Sequence, residues 1–244
     1  MTDLDFDVRW YPGTRSRRRS AAPPIQVHRA APNTVLLRQS IADNFEAPFL
    51  YLLFGADRAL LLDTGATADA TRFPLRATVD TLIEGWLLRH PRDGYELVVA
   101  HSHAHGDHVA GDGQFTDRPH TRVVGHSAED VAAFFGIGNW PRGTARFDLG
   151  GRVLEVIPTP GHHPSAVAIY DEDTGMLLTG DTVYPGRLYV QDFPAFEESL
   201  RTLCDFSAAH PVTVVLGAHI EMSARPSRDF PLGSTWHPDE APSR

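Results

Sequence analysis

The 244-residue chain has a single cysteine, Cys204, and no long apolar run. One cysteine excludes an internal disulfide and is typical of a reducing compartment, so we expect a cytoplasmic protein. No run approaches the roughly 20 apolar residues that a membrane-spanning helix requires, and we expect no membrane partner. Cys204 lies in a predicted amphipathic helix, where we expect a core residue rather than a nucleophile.

The chain also lacks a net positive charge. Its formal net charge is -9 and its pI is about 5.8. Nucleic-acid-binding proteins usually present a basic face to the phosphates, so we expect no nucleic-acid partner. One basic cluster, "RSRRRS" at residues 15–20, is not followed by the apolar core of a secretory signal. We interpret it as a solvated part of an N-terminal arm.

The composition predicts one domain with two short extensions. With 42% hydrophobic and 22% charged residues, the chain is typical of a globular protein that buries one large core. We assign residues 1–24 to an arm, either mobile or laid over the domain, and residues 25–225 to the domain. Residues 226–244 form a tail whose Phe230, Leu232 and Trp236 favour packing on the domain or on a second copy in a homo-oligomer.

Short apolar runs alternate with helical patterns along the chain. Strands are predicted at "VLLRQS", "PFLYLLF", "ALLLDTG", "YELVVA", "TRVVG", "GRVLEVIPT", "SAVAIYDEDTGMLLTGD" and "TVVLGAH". Apolar residues at helical spacing predict helices at residues 73–90, 126–136 and 195–210, the second with Ser127 as N-cap. This order favours two sheets packed together with helices outside.

The segment "AHSHAHGDHVAG" follows a predicted buried strand and holds four histidines. A surface tract, satisfied core histidines and a metal site are three explanations for it. His103 and His105 are two residues apart, which on an extended backbone places both imidazoles on one side. Gly106 permits a bend, so that Asp107 and His108 can face the same cavity. The segment could therefore serve two adjacent cations.

Three further donors occur in similar settings, next to glycine at the end of an apolar strand. They are His162 in "PGHHPSA", Asp181 in "TGDTVY" and His219 in "GAH". Zinc accepts imidazole and carboxylate ligands and commonly holds four. Five histidines and two aspartates, with Asp181 shared, would furnish two nearly complete coordination spheres and a common solvent ligand.

The segment "SHAHGDHVAG" resembles the His-x-His-x-Asp-His motif of the metallo-β-lactamase superfamily. "LLDTG", "PGHHPSA", "TGDTVY" and "GAH" resemble its other motifs, in the family's order, from about Leu60 to His219. The pattern is closest to the lactonase and glyoxalase II-like members with seven metal ligands. The resemblance implies an α+β fold, a four-layer αββα sandwich, with the active site at one edge of the two sheets.

The resemblance also implies a role for each ligand. His103, His105 and His162 would hold the first metal, Asp107, His108 and His219 the second, and Asp181 would bridge them. Asp63 in "LLDTG" would support the site by fixing a ligand histidine rather than by binding metal. The metals implied are two Zn²⁺, although iron and manganese accept the same ligands.

Two zinc ions lower the pKa of a shared water, so we expect a metal-bridging hydroxide as the nucleophile of a hydrolase. Asp107 is the candidate catalytic residue that orients this nucleophile or accepts its proton. Tyr184, Arg187 and Tyr189 in "TVYPGRLYV" are candidate substrate-binding residues, and a purely structural loop is the alternative. The expected partner is a small carbonyl substrate: a lactone, an ester or a thioester.

Other activities of the family remain as alternatives. β-Lactamases of this fold generally lack the bridging aspartate, glyoxalase II enzymes add a helical C-terminal extension, and the RNA-processing phosphodiesterases add a basic arm. Persulfide dioxygenases bind a single iron at positions matching His103, His162 and Asp181. A non-enzymatic chain, in which metals only stabilise the fold, is the last alternative.

The remaining histidines carry weaker predictions. His101 either ends its strand or lies near the metals, and His163 either supports the site or is exposed. The others lack a motif and are predicted to be structural or solvated: His28, His90, His120, His126, His210 and His237.

Overall fold

Two β-sheets face each other in the computed structural model, which describes residues 2–14 and 22–242. The first sheet has the order β1-β2-β3-β4-β5-β6 and the second β11-β10-β9-β8-β7. The strands are β1 (Ile25–Ala31), β2 (Thr34–Gln39), β3 (Phe49–Phe54), β4 (Arg58–Leu62), β5 (Glu96–Ala100), β6 (Thr121–Val123), β7 (Ala145–Asp148), β8 (Val153–Pro158), β9 (Val167–Asp171), β10 (Met176–Gly180) and β11 (Val214–Gly217). The α-helices are α1 (Leu75–Leu87), α2 (Gly106–Val109), α3 (Ala128–Phe135) and α4 (Phe193–Ala209).

Each sheet begins as an antiparallel meander and ends with parallel strands. β1 to β4 pair antiparallel, and β4, β5 and β6 are parallel. β7 to β10 pair antiparallel, and β10 and β11 are parallel. The carboxyl ends of parallel neighbours meet at one edge of a sheet, so residues that follow β4 and β5, or β10 and β11, are brought together.

The two faces of the first sheet fill two different apolar layers. All six residues of β3 are buried, and successive side chains of a strand point to opposite faces. Phe49, Tyr51 and Leu53 pack between the sheets, whereas Leu50, Leu52 and Phe54 pack against α1. On the second sheet, Tyr170 and Leu177 pack against Leu203 of α4. The layers are therefore helix, sheet, sheet and helix, which confirms the predicted αββα sandwich.

The predicted strands and the three predicted helices are present, and Ser127 caps α3 with a reciprocal hydrogen bond to Asp130. β1 and β7 were not predicted, because both are edge strands with half-exposed polar side chains. The prediction that Cys204 lies in the core is wrong. α4 buries the face of Phe196, Ser199 and Leu203, and Cys204, one position further along the helix, is exposed.

Residues 2–14 and the C-terminal tail both lie against the sandwich. Trp10 is buried with its ring edge against Phe49, and Gly13 forms a β-bridge with Trp236. The basic cluster at residues 15–20 lies outside the described residues. The boundaries of arm, domain and tail remain predictions. None of the helices in the described ranges has the length and apolarity needed to cross a membrane.

Arg152, just before β8, is a buried cation at one end of the sandwich. Its guanidinium donates to Asp171 through Nε (3.1 Å) and Nη2 (2.7 Å), and Nη2 also donates to Thr34 Oγ1 at 2.8 Å. Nη1 donates to the carbonyl oxygens of Asn33 and Phe54. Because these partners belong to both sheets, Arg152 and Asp171 tie the two sheets together.

Replacing Arg152 with Leu should lower the free energy of unfolding by about 3–5 kcal/mol, because Asp171 is fully buried and would keep an uncompensated charge. Urea denaturation measures the change. Arg146→Leu is the matched control, since Arg146 pairs with Glu172 on the surface, and it should change stability by no more than about 1 kcal/mol. Equal effects of the two substitutions would contradict this role of Arg152.

The tail is anchored by a second ion pair, between Arg38 of β2 and Glu240. Arg38 Nη1 and Nη2 donate to the two carboxylate oxygens of Glu240 at 2.5 and 2.7 Å, and His237 lies 3.1 Å from Glu240 Oε1. Burial alone would raise the pKa of Glu240, but the hydrogen bonds from His237 and Arg38 outweigh it. The pKa of Glu240 therefore lies below its ordinary value of 4.5.

A carboxylate whose pKa is depressed by folding stabilises the protein above its unfolded pKa, and this stabilisation is lost as the pH falls through the folded value. Glu240→Gln should therefore cost on the order of 1–3 kcal/mol at pH 7. The difference in unfolding free energy between this variant and the wild type should shrink as the pH falls below 4.5, the ordinary pKa of the glutamate side chain. Urea denaturation at several pH values tests this, with exposed Glu84→Gln as control. A difference that is constant with pH would contradict it.

Candidate metal centre

The seven candidate ligands meet at one edge of the sandwich. Five lie at or just beyond the end of a strand or in the loop that follows it, and Asp107 and His108 lie in the short helix α2. His103, His105, Asp107 and His108 follow β5; His162 lies in the loop between β8 and β9; Asp181 follows β10; and His219 follows β11. β5 lies next to β4, and β10 lies next to β11. This strand order brings together ligands that are far apart in the sequence.

The first group of donors consists of three histidines. His103 Nε2 lies 3.0 Å from His105 Nδ1 and 3.1 Å from His162 Nε2, and the last two atoms are 2.9 Å apart. Hydrogen bonds cannot account for all three contacts. Each nitrogen of a neutral imidazole is either a donor or an acceptor, so at least two of the three nitrogens have the same role and cannot bond to each other. The arrangement fits three lone pairs directed at one cation.

The second group consists of Asp107, His108 and His219. Asp107 Oδ2 lies 3.4 Å from the Nε2 atoms of both histidines, which are 3.3 Å from each other. Two ligands of a tetrahedral ion with bonds of 2.0–2.1 Å are about 3.3 Å apart. These separations therefore fit a zinc-sized cation.

Asp181 faces both groups. Its Oδ1 lies 3.3 Å from His219 Nε2 and 3.5 Å from His108 Nε2, and its Oδ2 lies 3.6 Å from His162 Nε2. Oδ1 is buried without a hydrogen-bond partner among the described residues. A buried carboxylate oxygen is costly when unsatisfied, so the position favours a cation.

Gly180 explains how Asp181 reaches the ligands of the other sheet. A Cβ atom at position 180 would lie 2.6 Å from Ser102 Cβ, and the backbone there has φ +51°. Only glycine allows this close approach at such a φ value without strain. The "TGD" sequence therefore lets the second sheet contact the segment that carries His103.

The outer nitrogens of several candidate ligands are held by hydrogen bonds. The Nδ1 atoms of His162 and His219 lie 2.6 and 2.8 Å from the carbonyl oxygens of Tyr189 and Glu46. A carbonyl only accepts, so Nδ1 carries the proton and the Nε2 lone pair faces the centre. His105 instead presents Nδ1 to the centre, and its Nε2 lies 3.1 Å from Gln191 Nε2.

Asp63 holds His108 and its loop from behind. Its carboxylate is buried and accepts from the backbone N–H of Ser102 (2.7 Å), from Ser102 Oγ (2.9 Å) and from His108 Nδ1 (2.9 Å). Asp63 itself has φ +69°, which an aspartate tolerates better than most residues. It does not belong to any of the groups of converging donors among the described residues.

The charges of the centre favour a bound cation. Burial would raise the pKa values of Asp107 and Asp181, but the neighbouring His108 and His219 hold both well below the ordinary range. Burial opposes charge on His219 as well, yet the two carboxylates raise its pKa well above 6.5. Positive charge is thus stabilised at His219 in the second group of donors, whereas burial lowers the pKa values of His103 and His105 in the first. A metal ion that binds at the second group displaces protons.

A cavity of about 260 Å³ opens beside the ligands. Tyr184 and Tyr189 line it, together with Glu46 and Glu221, which sequence reasoning missed because no motif surrounds them. The Tyr184 hydroxyl donates to the Arg187 carbonyl oxygen, whereas the Tyr189 side chain is half exposed.

Arg187 does not line this cavity. Its guanidinium donates to the Phe230 carbonyl oxygen at 2.5 Å and lies 3.5 Å from Glu221 and 3.6 Å from Asp229. Of the three candidate substrate-binding side chains, Tyr189 is thus the one that is open to a ligand.

His101 and His163 lie beside the candidate ligands without joining them. His101 Nε2 is directed at Asp112 (2.9 Å), and His163 Nδ1 lies 3.0 Å from Ser165 Oγ. Sequence reasoning missed that Asp112 also contacts His126, at 2.7 Å. The signal for this contact is weak, because His126 lies 25 residues after His101 and outside any motif.

Comparisons with known proteins relate the chain to one superfamily. The family model of the metallo-beta-lactamase superfamily matches residues 44–219, which include all seven candidate ligands and Asp63. A hydroxyacylglutathione hydrolase of Rhizobium meliloti (strain 1021) is 30% identical over 144 residues, which cover 57% of this chain and 53% of that protein. One of Methylococcus capsulatus is 31% identical over 159 residues, covering 64% and 57%. The chain thus spans little more than half the length of these relatives.

Solved structures share the fold. A metallo-beta-lactamase from Pontibacter korlensis superposes with a TM-score of 0.57 at 20% identity, covering 80% of this chain and 91% of that one. A metallo-beta-lactamase family protein from Thermus thermophilus gives a TM-score of 0.52 at 23% identity, covering 78% and 74%. With the matching family model, the two sheets and the converging donors, these findings show that the chain belongs to the metallo-beta-lactamase superfamily.

Proposed function

We propose that this chain is a dinuclear metal-dependent hydrolase of a small carbonyl substrate, with a thioester, an ester or a lactone as the bond that is cleaved. The observation that carries the proposal is the pair of donor groups joined by Asp181. Each group has three donor atoms within about 3.4 Å of one another, and the two oxygens of Asp181 face different groups.

His103, His105 and His162 would hold one metal, and Asp107, His108 and His219 the other, with Asp181 between them. Two Zn²⁺ ions bound there supply Lewis acidity, which lowers the pKa of coordinated water and polarises a substrate carbonyl. Hydrogen bonds to Tyr189, Glu46 and Asp63 hold three of the imidazoles in one tautomer.

Asp107 is the residue proposed to orient the attacking water. Its side chain is partly exposed, whereas His108 beside it is fully buried. It also lines the cavity, so its carboxylate is accessible from the substrate side. A carboxylate accepts hydrogen bonds only, and can therefore fix the direction of a water O–H and receive its proton as the carbonyl is attacked.

The size of the cavity favours a small substrate. At about 260 Å³ it lies just below the usual range for ligand pockets. The Tyr189 side chain lines it and is half exposed, so its hydroxyl can donate to a substrate oxygen.

The names of the relatives favour a thioester among these substrates, because hydroxyacylglutathione hydrolases are named for the cleavage of a glutathione thioester. The ester and lactone remain in the proposal because the match covers only part of those proteins. The second donor group is complete, which supports the dinuclear hydrolase over a mononuclear iron enzyme.

The proposed function predicts metal-dependent turnover. Zinc-loaded protein should hydrolyse at least one compound in a panel of thioesters, aryl esters and lactones, and the activity should disappear with a chelator and return with Zn²⁺. Phosphodiesters, β-lactams and a glutathione persulfide complete the panel. Iron-dependent oxygen consumption with the persulfide, or no turnover of any carbonyl compound by metal-loaded protein, would overturn the proposal.

A second prediction concerns Asp63. In Asp63→Asn the amide has a single acceptor oxygen and no charge, so His108 loses the partner that sets its tautomer. Zinc affinity, measured by competition with a chromophoric chelator, should fall about 10–100-fold. Asp205→Asn, at an exposed position of α4, should keep wild-type affinity. Unchanged zinc affinity in Asp63→Asn would show that Asp63 does not support the centre.

A further inference from the structure

A second set of converging donors lies outside the seven candidate ligands. It consists of His101, Asp112 and His126, which we call the outer cluster. Asp112 Oδ1 lies 2.9 Å from His101 Nε2, and Asp112 Oδ2 lies 2.7 Å from His126 Nε2. One donor atom from each residue falls within 4.8 Å of the other two.

Three separate segments supply the outer cluster. His101 directly follows β5, Asp112 begins a short 3₁₀ turn after α2, and His126 precedes the N-cap of α3. Thr64 Oγ1 donates to Asp112 Oδ1 at 2.7 Å and fixes the carboxylate. The cluster is therefore built into the fold and is not a tract of neighbouring residues on one loop.

We propose that the outer cluster binds one divalent transition-metal ion of the zinc type, in addition to the ions of the proposed catalytic centre. His101, Asp112 and His126 supply three protein ligands, and solvent completes the coordination. Two imidazoles and a carboxylate are a donor set that zinc accepts in proteins. The proposal does not depend on hydrolytic activity.

The burial of the three residues fits an ion that enters from solvent. The His101 side chain is 3% exposed and that of Asp112 17%, whereas that of His126 is 46% exposed. An ion can therefore reach the two inner donors past the exposed imidazole. The rings of His101 and His126 stand nearly perpendicular with centroids 5.0 Å apart, so both can direct Nε2 at one point beside Asp112.

Hydrogen bonds alone leave one buried polar atom of the cluster without a partner. If both imidazoles donate from Nε2 to Asp112, His101 Nδ1 becomes a buried acceptor, and it has no partner in the described part of the chain. No protein group within that part holds the proton on Nδ1 either, in contrast to His162 and His219. A metal at His101 Nε2 would leave the Nδ1 N–H without an acceptor among the described residues, so the outer site should bind zinc more weakly than the inner centre.

The test compares the number of zinc ions bound by two full-length proteins, the wild type and His126→Asn. Asn can still donate a hydrogen bond to Asp112, but an amide is a poor ligand for zinc. In equilibrium dialysis against increasing free Zn²⁺, the wild type should bind one equivalent more than His126→Asn, and the variant should keep the tighter equivalents. Zn²⁺ should also shift the imidazole NMR signals of His126 in the wild type.

His120→Asn is the matched control, because His120 is exposed and its φ of +52° suits asparagine. It should bind as many zinc ions as the wild type. Equal stoichiometry and affinity in the wild type and His126→Asn, or His126 signals that do not respond to Zn²⁺, would overturn the outer site. The first outcome is a difference between two proteins and the second is observed at His126 itself, so neither depends on the occupancy or activity of the inner centre.

Discussion

The buried carboxylate of Asp63 is the group on which the geometry of the centre depends. It accepts three hydrogen bonds, two from Ser102 and one from His108, and so joins the end of β4 to the segment after β5. A buried anion is tolerated only where hydrogen bonds and positive charge surround it. The contacts that satisfy Asp63 also fix the imidazole of His108. The same hydrogen bonds therefore stabilise this part of the fold and position a donor atom of the centre.

The parallel strand pairs at the ends of the two sheets provide the second condition. β4 and β5 deliver Asp63 and His103 from one sheet, and β10 and β11 deliver Asp181 and His219 from the other. A sandwich separates its sheets by about 10 Å, a distance that side chains must cross at the edge. At Gly180 the two sheets approach each other more closely, because the glycine has no Cβ atom that would collide with Ser102.

The sequence predicts the layers well because the apolar pattern is strong wherever burial is complete. β3, buried on both faces, reads as an unbroken apolar run, and Ser127 and Asp130 mark the start of α3. β1 and β7 could not be predicted from pattern, because edge strands are only half buried. Cys204 shows the limit for helices: a shift of one position, or about 100°, separates a buried from an exposed side chain.

For the centre, the glycine-linked motifs are sufficient to nominate the ligands, since their spacing restricts where each side chain can point. The cavity walls are different. Glu46 and Glu221 reach it from loops whose course depends on tertiary packing, and Arg187 is engaged by the tail, which no local pattern near position 187 reveals. The contact of His126 with Asp112 likewise depends on tertiary packing, which brings the start of α3 beside the 3₁₀ turn that follows α2.

The β-bridge between Gly13 and Trp236 has a consequence for how the molecule comes apart. The segments around residues 13 and 236 hold each other through this bridge and through the hydrogen bond from Thr14 N to the Thr235 carbonyl oxygen. Trp10 is buried in the core next to them. Opening of either segment therefore releases the other, and local opening there involves both segments as one cooperative unit.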